Sequence, residues 1–230
     1  MAKFLRFVAI VLMGLTAAFT LLSGVGTTCV ALAAENYDSM TALAPYKWLY
    51  VLFVLFTTAI GVLGVRVTVR LVKGRENAPR AALTALVLGI LVGVIHMAVS
   101  RSLRGSSMPV DPVVYTTGLT LIIFSLLRLP GAREKVGFER VKGDDENVGP
   151  TAAAITLLLS GALTLSVGLW AAPTHTMNGG VNYADAFHVP MTIAGWGLIL
   201  FGIGLLVWTR SPKALGQGDL TGDRCSCRSG

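Results

Sequence analysis

The sequence predicts an all-α, polytopic integral membrane protein, a six-transmembrane-helix bundle with the N-terminus and the C-terminus both cytoplasmic. Three observations carry that expectation. Of 230 residues, 53% are hydrophobic and only 13% charged, with a mean hydropathy of +0.69, whereas soluble domains hold about 25% charged residues. The apolar residues gather into six runs near the roughly 20 residues a helix needs to cross about 30 Å of hydrocarbon. The basic residues fall in short clusters on alternate sides of those runs.

Taken in order, the first run spans Phe7 to Val25, with apolar character trailing on to Ala34. Its basic start and the "ALAA" at Ala31 to Ala34 resemble a secretory leader. The apolar stretch exceeds the roughly 7 to 15 residues of a leader's core, so an uncleaved first helix is expected. The second run is Trp48 to Val65 and the third Ala81 to Ser100. The fourth, Val113 to Leu127, is the shortest, and it spans only if Pro109 to Pro112 and Arg128 sit at the interfaces or the bilayer thins. After a mixed-charge, Gly- and Pro-bearing loop from Arg128 to Pro150 come Thr151 to Ala172 and Val189 to Trp208. Residues 1–210 therefore read as a single transmembrane domain and 211–230 as a mobile cytoplasmic tail. Continuous apolarity, without the alternation and roughly ten-residue length of barrel strands, selects helices.

Orientation follows from the loops. In the six-span arrangement, 16 of the 19 Lys and Arg residues share one side; Lys47, Arg101 and Arg104 occupy the other, together with Glu35, Asp38, Asp111 and Asp185. The richly basic side is cytoplasmic by the positive-inside rule. The expected setting is a bacterial-type plasma membrane, with the chain in contact with the lipid bilayer and possible partner subunits of a membrane complex. A net charge of +7 is not a nucleic-acid signature, because the cations form no stripe and accompany no finger or aromatic platform.

All three histidines gather toward the outer side. His96 lies about 22 Å along the third span from Ala81 at 1.5 Å per residue, and His175 and His188 flank the last external loop. Met40, Met97, Met108, Met177 and Met191 share that side, leaving only Met1 and Met13 elsewhere. Imidazole and thioether together suit copper, so His96, His175, His188 and Met177 are candidate metal ligands. Alternatively, His96 and His188 are axial ligands to a haem b, with Arg101 and Arg104 as the cofactor-binding partners of its propionates. A third reading makes the cleft a quinone or lipid-headgroup site. The plain alternative is structural: histidine and methionine are tolerated at interfaces, and Arg101 and Arg104 can pair within the protein with Asp111, Asp185 or Glu35.

Several chemistries lack a foothold. No span carries Asp, Glu, Lys or Arg near its centre, which argues against acid-coupled transport. No phosphate loop, dinucleotide fingerprint, HExxH or GxSxG occurs. Cys29 is separated by the membrane from Cys225 and Cys227, whose Cys-x-Cys supplies only two zinc ligands. The expectation is a non-catalytic membrane subunit or binding protein whose outward His/Met cluster holds copper or haem. Two alternatives stand beside it: a small-solute or lipid carrier lined by span hydroxyls such as Thr16, Thr20, Thr57 and Ser160, and a purely structural subunit.

Overall fold

The computed structural model describes residues 2–129, 147–171, 175–177, 180, 182, 185 and 187–211. Among these the chain is helical, and the one β feature is an isolated antiparallel bridge between Thr176 and Asn182. Five helical segments are long and apolar enough to cross a membrane. The middle of the expected Arg128–Pro150 loop, most of the expected tail, and Cys225 and Cys227 lie outside the described residues.

Helix α1 (Ala2–Ala33) is the central element, packed along α2 (Lys47–Val72), α4 (Val110–Leu126) and α5 (Val148–Leu165). It is apolar on most sides but carries a buried stripe at helical spacing, Thr16, Thr20, Ser23 and Thr27. Thr20 and Thr27 each donate to the carbonyl four residues back at 2.7 Å, so their hydroxyl protons are satisfied inside an apolar bundle without a partner helix. Thr16 instead meets the Thr120 hydroxyl of α4 at 2.8 Å.

Apolar packing closes both ends of this stripe. At the Arg6 end, Ile10, Met13, Val67, Leu71, Leu86 and Phe124 form one buried cluster. At the opposite end, 3₁₀ segments Ala34–Asn36 and Asp38–Tyr46 fold back to bury Tyr37, Met40 and Leu43 against Cys29, Val30, Tyr50 and Phe53. Helix α3 (Ala78–Arg104) covers α2 and α4, and Gly105 ends it in the left-handed region at φ +72°, its N–H reaching the Arg101 carbonyl at 2.9 Å.

Helix α6 (His188–Arg210) docks on α5 through glycine. A Cβ on Gly161 would stand 2.7 Å from the Gly195 carbonyl oxygen, and one on Gly202 would stand 3.0 Å from that of Ala154. Small residues let the two backbones approach where lipid offers no hydrophobic drive to pair helices. Much of the rest of α6 faces outward, with Ile193 69% and Trp208 71% exposed. Leu55, Phe56, Leu91, Leu119 and Ile122 likewise expose apolar surface on other helices. A soluble monomer does not carry so continuous an apolar exterior; this surface is suited to lipid.

Element bounds differ from expectation in instructive ways. Helices α1, α2 and α3 each outrun their apolar runs, because a helix continues past hydrocarbon as long as its backbone bonds are made. The fourth helix is the shortest of the expected spans at 17 residues, in keeping with its short apolar run. The fifth expected span, Thr151 to Ala172, is broken: α5 stops at Leu165, Ser166 turns, and a five-residue helix resumes from Val167 to Ala171. Ser166 donates its hydroxyl to the Leu163 carbonyl at 2.9 Å, the local competition by which serine ends a helix.

Candidate functional site

The break at Ser166 helps form a pocket. Because the chain turns there, Val167, Trp170 and Ala171 stand off α1, and a cavity of about 260 Å³ opens between them, α1 and the start of α4. Phe19, Leu22, Val25, Pro112, Val113, Leu163 and Met191 make its wall apolar, while Ser23 and His175 add polar groups.

His175 is buried, with Nδ1 2.9 Å from the Ala171 carbonyl oxygen and Nε2 3.3 Å from that of Gly26. Both neighbours are carbonyl acceptors, and a neutral ring has one N–H, so it donates to one of them at a time, to Ala171 at the shorter distance or to Gly26 of α1 in the other tautomer. A Cβ at Gly26 would lie 3.9 Å from Nε2, an ordinary contact, so this approach does not depend on glycine. The Tyr37 ring stands edge-on to the imidazole at 6.4 Å. Trp170 also lines the pocket, and its buried indole Nε1 has no hydrogen-bond acceptor among the described residues.

His96 is buried one helix away. Its ring stacks on Phe53 at a centroid distance of 4.3 Å and 12°, and meets the Tyr50 ring edge-on at 5.4 Å. Tyr50 in turn shares a 2.8 Å hydrogen bond with Ser100. His96 and His175 both line a second cavity of about 20 Å³, with Tyr50, Ser100, Arg104, Met40 and Met108 also on its wall.

The residues expected as a cluster therefore divide. His96, His175 and Arg104 converge on that small cavity. His188, at the first turn of α6, is exposed, and Met177 packs beside the Tyr37 and Met40 cluster. Arg101 takes the intraprotein pairing: its guanidinium donates to Asp111 at 3.0 Å and to Ser107 at 2.8 Å. Glu35 pairs with Lys47. Arg104 donates to the Met108 carbonyl, and its buried Nε has no acceptor among the described residues. No group of three His, Cys, Asp or Glu side chains suited to hold a metal ion occurs among the described residues.

Sequence reasoning missed the pocket, because it depends on the Ser166 break, and missed Ser23 as a wall residue. The fifth apolar run holds two serines, Ser160 within the helix and Ser166 at its end, so serine content alone did not mark the break.

Fold and site together describe an all-helical bundle of membrane-compatible apolar helices with a mainly apolar pocket near one end. No protein-family model matches the chain, and neither does any curated protein or solved structure. Function is therefore argued from the site.

Proposed function

We propose that the protein is a multi-pass plasma-membrane protein of bacterial type, crossing six times with both termini cytoplasmic. In this reading it serves as a non-catalytic binding protein or membrane subunit. Its ligand is amphipathic, with an apolar body in the pocket beside α1 and an oxygen-bearing head, as on a quinone or a lipid, at His175. The orientation rests on the distribution of Lys and Arg; six crossings require the 17-residue α4 to span with its flanks at the interfaces. The observation that carries the ligand class is the pocket itself: about 260 Å³, walled mainly by apolar side chains, with the buried His175 on its wall. Concave apolar sites with a few placed polar groups are the usual form of small-molecule sites.

Trp170 offers a reporter. In a variant carrying Phe at Trp48, Trp196 and Trp208, Trp170 fluorescence in nanodiscs should be quenched saturably by a brominated quinone or a brominated phospholipid. Leu163→Phe, which narrows the pocket, should weaken that quenching. Quenching that rises without saturation and ignores Leu163→Phe would show bilayer exposure in place of a site.

The convergence of His96 and His175 with Met40 and Met108 keeps copper or haem as a second reading. Against a bare copper ion stands Arg104 on the same cavity wall, a fixed cation beside the place the ion would occupy, and against haem stands the cavity's volume of only about 20 Å³, although Arg104 suits a propionate. Oxidised and reduced visible spectra with metal analysis decide the matter. A Soret band or stoichiometric copper, lost in His96→Ala or His175→Ala, would place the metal reading first.

A further inference from the structure

A third cavity, about 20 Å³, lies on the other side of His96, within the polar zone between the two apolar clusters. Three of its walls are unusual. Ser23, Thr57 and His96 are each at least nine-tenths buried, at 8%, 8% and 3% exposure. None of their side chains is hydrogen-bonded to another described residue, whereas most other buried hydroxyls of the bundle are bonded to a carbonyl or to each other. Thr20 and Thr117 complete the polar lining; their protons are committed to the Thr16 and Val113 carbonyls at 2.7 and 2.6 Å, so they face the cavity as acceptors.

Buried polar groups in folded proteins are almost always satisfied, by protein or by ordered water. A water needs about 10–15 Å³ of such space and two to four polar partners. This cavity supplies both. We propose that it is a buried water site. With the histidine-lined cavity on the far side of His96, it forms a hydrated inlet from the histidine end to the middle of the bundle, and His96 exchanges protons between the two.

The arrangement is directional. Toward the histidine end, the next cavity is lined by Tyr50, Ser100, Arg104 and His175. Toward the Arg6 end, a cavity of about 10 Å³ beside Thr16, Thr20 and Thr117 continues the line. There the 2.8 Å Thr16–Thr120 bond and the cluster of Ile10, Met13, Leu86 and Phe124 close it. Imidazole suits the junction, because it accepts a proton on one ring nitrogen and releases one from the other. The inlet is a half-path, open at one end, and it stands whatever ligand the neighbouring apolar pocket takes.

Hydrogen–deuterium exchange at the imidazole C2 position, read by mass spectrometry on the full chain in nanodiscs, tests it. The exposed His188 serves as the internal control. His96 should exchange measurably although it is buried. The double variant Ser23→Ala, Thr57→Val, which removes two of the water's partners, should slow His96 about tenfold, the weight of one hydrogen bond, and leave His188 unchanged. Thr57→Ser, which keeps the hydroxyl with less change in packing, should retain wild-type exchange. No detectable exchange at His96 in the wild type, while His188 exchanges, would mean a dry cavity and overturn the proposal. Equal rates at His96 in the wild type and in a folded double variant would overturn it as well.

Discussion

Replacing His96 by alanine and by phenylalanine separates what its ring does from what its nitrogens do. The ring stacks on Phe53 at 4.3 Å and touches the Tyr50 edge at 5.4 Å. Each such aromatic contact is worth about 0.5–1.5 kcal/mol beyond area burial. Cutting a buried ring back to a methyl also leaves a cavity, and comparable aromatic truncations cost about 3–5 kcal/mol in all. His96→Ala should lie in that range. His96→Phe keeps both ring contacts and forgoes only hydrogen bonding by the nitrogens, a net loss of about 0.5–1.5 kcal/mol. A difference of at least about 1.5 kcal/mol corresponds to about 3–6 °C in a chain of this size. Cys29, 1% exposed, reports unfolding through a thiol-reactive dye once Cys225 and Cys227 are changed to serine. Equal melting temperatures for the two variants, both well below wild type, would refute the reasoning. The nitrogens would then be holding structure directly, as they would if they ligated a metal or haem.

Three further outcomes are expected from the same assay. Gly161→Leu should loosen α6 from α5 and cost about 1–3 kcal/mol as overpacking, because even a Cβ at Gly161 would fall 2.7 Å from both the Gly195 oxygen and Ile199 Cγ1; unchanged melting would mean that α6 docks elsewhere. Tyr50→Phe leaves the buried Ser100 hydroxyl without its 2.8 Å partner, which costs about 1–3 kcal/mol, and a cycle with Ser100→Ala should return a clear coupling energy where an additive result would deny the bond. Asp111→Asn, by contrast, weakens a pair whose arginine is half exposed and should cost under about 1 kcal/mol, with the deficit shrinking in high salt; a larger, salt-insensitive loss would show that Arg101 anchors the α3–α4 turn.

Much of the helical layout was legible because hydrocarbon imposes it. Among the described residues, the apolar runs located the five helices long enough to cross a membrane, and the run expected to be the weakest span became the shorter 17-residue helix. The site was legible only in part. His96, His175 and Arg104 do converge, but proximity to one end of the bundle did not distinguish them from His188, which sits at the start of an outlying helix whose inner face is glycine. Hydroxyls in the spans posed the same difficulty. Thr16, Thr20, Thr27, Ser23 and Thr57 look alike along the chain, each a small polar residue in an apolar run. Three-dimensional packing sorts them: Thr20 and Thr27 donate within their own helix and Thr16 bonds Thr120, whereas Ser23 and Thr57 face the cavity beside His96 without a hydrogen bond to another described residue. No local pattern encodes that difference, because it depends on which helix lies opposite.

The apolar pocket and the small polar cavities meet along one turn of α1. Ser23 lines both the pocket and the cavity beyond His96, while Gly26 and His175 line both the pocket and the cavity at the histidine end. A ligand head seated against His175 would therefore stand beside groups that also bound the polar line, without any acidic residue in mid-span. This shared wall means that substitutions at Ser23, Gly26 or His175 act on both features and cannot apportion roles. Leu163 and Thr57 can: Leu163 lines the pocket and not the polar cavities, and Thr57 lines the cavity beside His96 and not the pocket. If ligand binding and His96 exchange are separate properties, Leu163→Phe should alter only the first and Thr57→Val only the second. If either single variant moves both, the two features form one site, with the ligand's polar end in contact with the buried water.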